Sequence, residues 1–161
     1  MTSRDVRRLH LLSGRAHPAL AQEVANHLGV SLCNVDLGNF ANGEISCRLL
    51  ESVRGADIFI MQSHAGNIND AIMEQAIMID AARRSSAASI TAVCPFFGYA
   101  RQDRKSGGRE PITARLIVDM LASAGANRIM TVDLHSGQIQ GFFPGPFDHL
   151  IARPSLVKPL L

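Results

Sequence analysis

The densest chemistry in the sequence lies near its C-terminal end, in Asp133-Leu-His-Ser-Gly-Gln-Ile-Gln-Gly-Phe-Phe-Pro-Gly-Pro-Phe-Asp148. Asp133 and His135 stand two residues apart, directly after the apolar run Arg128-Ile-Met-Thr-Val132, which reads as a strand. In an open parallel sheet, ligands gather beyond the carboxyl ends of the strands. A carboxylate and an imidazole delivered to such an edge can hold a metal ion or orient a polar substrate. Gly137 and Gly141 would permit close backbone approach or a positive φ there, and Pro144 and Pro146 stiffen the exit. Taken locally, the same residues also fit an ordinary strand-to-helix turn with a surface histidine.

Three further stretches carry candidate chemistry. Residues 96–111 hold Arg101, Arg104, Lys105 and Arg109 in one loop. Such a cationic loop attracts polyphosphate, although a solvated charge run reads the same way. Phe40-Ala-Asn-Gly-Glu44 pairs an aromatic face with polar groups, which suits a purine base, and equally suits a plain hairpin tip. Glu51-Ser-Val-Arg-Gly55 is a turn. Five other histidines (His10, His17, His27, His64 and His149) show no mutual spacing of a metal site, and His64 alone lies close to a strand end. Cys33, Cys47 and Cys94 are odd in number, sit in apolar segments without metal spacing, and read as buried thiols of a reducing, cytoplasmic compartment. Neither a Gly-x-x-x-x-Gly-Lys-Ser/Thr loop nor a Gly-x-Gly-x-x-Gly fingerprint occurs.

The elements that must position these groups alternate between strand and helix. The pattern predicts a strand at Leu9–Ser13 and a helix at Pro18–Leu28, opened by proline and closed by Gly29. It then predicts strands at residues 32–37 and 45–50, joined through Asn42-Gly43 as an antiparallel hairpin, and a buried strand at Asp57–Met61. A helix follows at Ile68–Arg84, with Ile72, Ala76, Ile79 and Arg83 on one face and Met73, Ile77 and Ala81 beside it. A strand at 90–93, a long polar loop to residue 112 and a helix at Thr113–Ala124 complete the pattern. In that last helix Leu116, Ile117, Met120 and Leu121 are expected to point inward. Such alternation defines an α/β domain, a mostly parallel sheet flanked by helices with one small hairpin.

The totals agree. The 161 residues are 47% hydrophobic and 19% charged, enough apolar matter for one domain and too little charge for disorder. A net charge of +2 does not define a nucleic-acid face. No apolar run approaches the length of a membrane span. Fourteen of the sixteen cations are arginines, whose planar fork suits phosphates.

The 133–148 segment resembles, at every fixed position, the divalent-cation signature of the ribose-phosphate diphosphokinases, the phosphoribosyl pyrophosphate synthetases. The resemblance runs from about residue 9 to residue 161. It implies a phosphoribosyltransferase-like fold and transfer of pyrophosphate from MgATP to ribose 5-phosphate, giving phosphoribosyl pyrophosphate and AMP for nucleotide biosynthesis. It places Mg²⁺ on His135, with Asp133 supporting. ATP would be bound by Arg101 and Gln102 of Tyr99-Ala-Arg-Gln-Asp103. Phe40, Asn42, Gly43 and Glu44 would bind its adenine across a contact with a neighbouring subunit, which implies a homo-oligomer. Ser52, Arg54, Ser86 and Arg109 match a regulatory site for phosphate or ADP. Neither a nucleic-acid nor a membrane partner is implied.

Members of that family have two such domains. The sequence therefore reads as an N-terminal ATP-side domain over residues 1–161. It contains no Asp-Asp pair and no Thr-Gly-Gly, so the C-terminal ribose 5-phosphate domain is expected to be absent and the chain inactive alone. A non-catalytic regulatory subunit is the alternative. A truncated remnant is a third reading, with apolar surface exposed around Phe142, Phe143 and Leu150.

Overall fold

The computed structural model describes residues 8–158. Five strands form one parallel sheet in the order β1-β4-β5-β6-β7: β1 (Leu9–Ser13), β4 (Asp57–Met61), β5 (Ser89–Cys94), β6 (Arg128–Val132) and β7 (Phe147–Leu150). A separate antiparallel pair, β2 (Val35–Asn39) and β3 (Ile45–Leu49), is the expected hairpin. Its first strand starts three residues later than the apolar pattern suggests. Leu32 makes only a single parallel bridge to Leu11, and Cys33 N–H donates to the Leu11 carbonyl at 2.9 Å. The chain thus grazes the outer edge of β1, then turns away to pair with β3. It later returns to the other side of β1 as β4, so the winding direction reverses at β1.

The helices α1 (Pro18–Leu28), α2 (Ile68–Arg84) and α3 (Thr113–Ala124) have the bounds that their punctuation predicts. His17 caps α1 through its ring nitrogen, which accepts from Leu20 N–H, and Gly29 closes the helix at φ 67°. The short α4 (Arg153–Val157) follows β7. The main core lies between the sheet and α2 and α3, where Leu12, Ile58, Ile60, Met78, Ile79, Leu121 and Ile129 have no exposed surface. Each such side chain contributes about 1.5–3 kcal/mol by leaving water.

Two expected faces need correction. In α3 the buried set is Ala114, Ile117, Val118 and Leu121, a true i, i+3, i+4, i+7 stripe. Leu116 falls off that stripe and is 62% exposed. In α2, Met73 faces solvent, while Glu74, Gln75 and Met78 are buried beside Ile72, Ala76 and Ile79. Among the described residues, the other sheet face carries α1 alone, over a smaller cluster of Leu11, Ala21, Ala25 and Met61. Beyond α1 this face is an apolar groove of about 460 Å³ lined by Phe59, Val93, Met130 and Leu150 among others. Leu9, Leu28 and Leu150 are exposed along it. Phe143 is buried, Phe142 half-buried, and only Leu150 of the three expected residues is exposed.

Candidate functional site

The segments that leave the carboxyl ends of β5 and β6, with Ile68 at the start of α2, surround a cavity of about 490 Å³, within the range of small-ligand pockets. Arg101, Gln102, Asp133 and His135 all line it, with Phe96 and Tyr99 as apolar walls. The sequence candidates from two separate segments therefore share one pocket. Arg101 and His135 are exposed, and neither has a hydrogen bond or ion pair with another described residue, so both are available to a ligand. Gln102 is held in place: Thr113 Oγ1 donates to its side-chain oxygen, and its carbonyl accepts Ala114 N–H. The loop is thereby pinned to the start of α3.

Asp133 leaves β6 with φ 45°, in the left-handed region, and its Oδ1 accepts Ala152 N–H at 3.1 Å. The carboxylate thus braces the exit of β7. His149 accepts Leu134 N–H at 2.9 Å and fixes the peptide between Asp133 and His135. Tyr99 is also left-handed, at φ 60°, with its hydroxyl donating to Asn69 at 2.6 Å. Gly137 and Gly141 need no glycine. They lie in a 3-10 helix (Gly137–Phe142) without positive φ, and a Cβ at either meets nothing within 3.6 Å.

The two segments are joined by residues whose role the sequence did not reveal. Gln138 donates to Asp103 Oδ2 at 2.6 Å, and Ser136 also hydrogen-bonds the Asp103 carboxylate. Burial opposes ionisation of Asp103, but the bonds from Ser136, Gln138 and its own amide, with the Arg104 charge, outweigh it and hold the carboxyl below its usual range. Its stabilising effect is therefore complete above the ordinary carboxylate pKa and is lost as pH falls through the lowered value. Asp103→Ala should free the 96–112 loop, raising its amide hydrogen exchange roughly tenfold while the sheet stays protected. Equal protection in the variant would show that the tether is idle.

Beneath the loop lies a buried polar chain. Gly98 N–H donates to His64 Nδ1 at 3.1 Å, so the other ring nitrogen carries the proton and donates to Gln75 Oε1 at 2.8 Å. Gln75 in turn donates to the carbonyls of Ile60 and Val93. Burial lowers the His64 pKa to about 4 despite the Gln75 bond, so the ring is neutral. A second network, at the ends of β1 and β4, ties Arg15 and Gln62 to the buried Glu74, with Arg15 also donating to Asn39 at the turn end of β2.

The remaining candidates are not assembled in one chain. Phe40 is 59% exposed at the hairpin tip, and none of Phe40, Asn42, Gly43 and Glu44 lines the cavity. Gly55 N–H donates to the Ser86 carbonyl at 2.9 Å, which brings Ser86 beside the segment of Ser52 and Arg54. These lie at the amino ends of β4 and β5. Arg109 (φ 65°) belongs to the loop at the opposite edge, so one chain does not gather all four. In that loop Glu110 accepts the amides of Ser106 and Gly107 and shapes the Gly107-Gly108 turn.

The protein is thus a parallel α/β domain whose carboxyl edge carries a pocket holding an arginine, a carboxylate and an imidazole. Residues 9–125 match the N-terminal domain of ribose phosphate pyrophosphokinase. A ribose-phosphate pyrophosphokinase of Streptomyces avermitilis is 61% identical over 150 residues, covering 93% of this chain and 46% of the relative. That of Bifidobacterium longum is 60% identical over 149 residues, covering 92% of this chain and 44% of the relative. The crystal structure of phosphoribosylpyrophosphate synthetase from Mycobacterium smegmatis superposes with a TM-score of 0.93 at 55% identity, covering 96% of this chain and 52% of that one. The chain belongs to the ribose-phosphate pyrophosphokinase family. It spans about half the length of the relatives it matches.

Proposed function

We propose that the chain is the ATP-side domain of a ribose-phosphate pyrophosphokinase, taking part in Mg²⁺-dependent transfer of pyrophosphate from ATP to ribose 5-phosphate. The observation that carries this reading is the convergence of Arg101, Gln102, Asp133 and His135 on one pocket. The pocket's donors fit Mg²⁺ in a limited sense. The imidazole is free and one Asp133 oxygen is committed to Ala152, which suits an ion that keeps most of its shell as water and phosphate oxygen. Bound there through His135, the ion would neutralise polyphosphate charge.

The chain's own residues supply alignment. Arg101 offers a bidentate fork to phosphate or a stacking plane to the base. Gln102, fixed by Thr113, presents a preset polar group. Phe96 and Tyr99 exclude water from one wall. Such positioning and charge stabilisation are what phosphoryl transfer chiefly requires. The exposed hairpin tip, which does not line this pocket, supports the reading that Phe40, Asn42, Gly43 and Glu44 serve the site of a neighbouring copy. Ser52, Arg54 and Ser86 likewise need an Arg109 from another copy to complete a phosphate or ADP site. Among the described residues, no helix is long and apolar enough to cross a membrane.

Calorimetric titration of MgATP tests the proposal. Arg101→Ala should weaken binding by roughly 10- to 100-fold, the worth of a charge-assisted contact. His135→Ala should make affinities for MgATP and metal-free ATP converge. With ribose 5-phosphate added, the chain alone should release no AMP. Absence of MgATP binding at millimolar concentration, or binding indifferent to both substitutions, would remove the proposal.

A further inference from the structure

Of the three cysteines expected to be buried, Cys94 is buried while Cys33 and Cys47 are half-buried, and Cys33 has a histidine and a carboxylate beside it. On the outer edge of β1, far along the chain from one another, His10, Cys33 and Glu51 bring one ligand atom each to within 4.8 Å of the other two. His10 Nδ1 lies 2.9 Å from Cys33 Sγ. The three come from β1, from the segment bridged to it, and from the second residue after β3. Each is held by structure outside the cluster. His10 is in a paired strand, and Cys33 is anchored by its amide on the Leu11 carbonyl. Glu51 Oε1 accepts both the backbone and side-chain N–H of Asn34, at 2.7 and 2.9 Å.

We propose that His10, Cys33 and Glu51 form a site for a borderline divalent transition metal, zinc in the first instance, with its fourth position open to water. A thiolate, an imidazole and a carboxylate are the donor set that zinc takes, and three protein ligands plus solvent is a regular zinc arrangement. This set excludes Mg²⁺ and Ca²⁺, which take oxygen donors. One thiolate and one carboxylate balance a 2+ ion. Asn34 supplies the outer contact that orients the carboxylate. His10 and Cys33 are half-buried and Glu51 is exposed, which leaves an entry path. Spreading the nitrogen and sulfur to the ~3.5 Å of tetrahedral ligands needs a shift of about half an ångström.

Without a cation the thiol keeps its proton. Burial, then the Glu51 charge and the hydrogen bond to it, push the Cys33 pKa up to about 11. Metal entry therefore displaces one proton, from sulfur to solvent, with no redox change. The ion would tie the root of the hairpin to β1, one residue before Ser52.

The test is titration of the untagged full chain with Co²⁺ alone, then Zn²⁺ in competition. The expected result is one Co²⁺ per chain, with a thiolate-to-cobalt charge-transfer band, tetrahedral visible bands, and release of about one proton per ion. Cys33→Ser and His10→Ala should each abolish the charge-transfer band, and Cys47→Ser should keep it. Zn²⁺ should bleach the band and protect Cys33, located by peptide mass, from alkylation. If a variant fails to fold, the wild-type spectrum and the protection map decide alone. No thiolate band in the wild type, a band that survives Cys33→Ser, or alkylation of Cys33 indifferent to Zn²⁺ would overturn the site.

Discussion

Gly14→Ala is expected to cost about 3 kcal/mol of stability, the sum of overpacking and of buried polar groups left unpaired. Gly14 directly follows β1, and a Cβ there would stand 2.3 Å from Gln62 Oε1, 2.4 Å from its Cδ and 2.7 Å from its Nε2. Gln62 is 2% exposed and has nowhere to retreat. Its amide accepts Ala16 N–H and donates to Glu74, itself 3% exposed. The added methyl thus breaks a junction that joins β1, β4 and α2. A thermal midpoint lowered by about 10 °C is the expected reading for a domain of this size. Combining Gly14→Ala with Gln62→Ala should cost less than the two losses added, because the clash is relieved. Strict additivity would mean that the two residues do not meet.

Acid should destabilise the fold well above the carboxylate range, through His64. The ring is neutral in the folded chain with a pKa of about 4, against 6.5 when unfolded. Because the folded value is the lower one, the unfolded state binds the extra proton and stability falls as pH drops below 6.5. The loss runs at about 1.4 kcal/mol per pH unit and reaches on the order of 3 kcal/mol near pH 4. Protonating Nδ1 would set an N–H against the Gly98 N–H, two donors face to face. Denaturant melts of the wild type and of His64→Gln, taken between pH 7 and pH 4, should diverge steadily as acid is added. Parallel pH profiles would exonerate His64. Asp103 acts only at lower pH, so the two effects are separable.

Where regular periodicity and its punctuation agree, the chain is readable: Pro18–Leu28, Ile68–Arg84 and Thr113–Ala124 are helices with the expected limits, the first and last closed by Gly29 and Gly125. Facing was less legible. Leu116 is apolar but lies off the buried stripe of α3, and composition does not report angle around an axis. Gln75 stands at helical spacing from Ile72 and Ile79, so its burial was inferable, yet its partner His64 comes from another element. β7 was not foreseen because Phe-Asp-His-Leu is short and mixed, and it is a strand only through pairing with β6. At the site, Arg101, Gln102, Asp133 and His135 were named from sequence with their roles taken from resemblance, and the pocket unites them. The Asp103–Gln138 tether was invisible because neither residue type announces a partner so distant in the chain. His10, Cys33 and Glu51 have no motif spacing, and only the folded edge of β1 collects them.

Tyr99 and Asp133 line the pocket, and Arg109 follows in the same loop as Tyr99, all three without the backbone freedom of glycine at φ 60°, 45° and 65°. Each forced left-handed residue costs about 1–2 kcal/mol. Part of the cavity's outline is thus written in main-chain torsions rather than in side-chain contacts. A lineage descending from such a protein can exchange the groups that meet the ligand while inheriting the mould. The mould's upkeep falls on the core, so drift in Leu12 or Ile129 would blur the site as surely as drift within it.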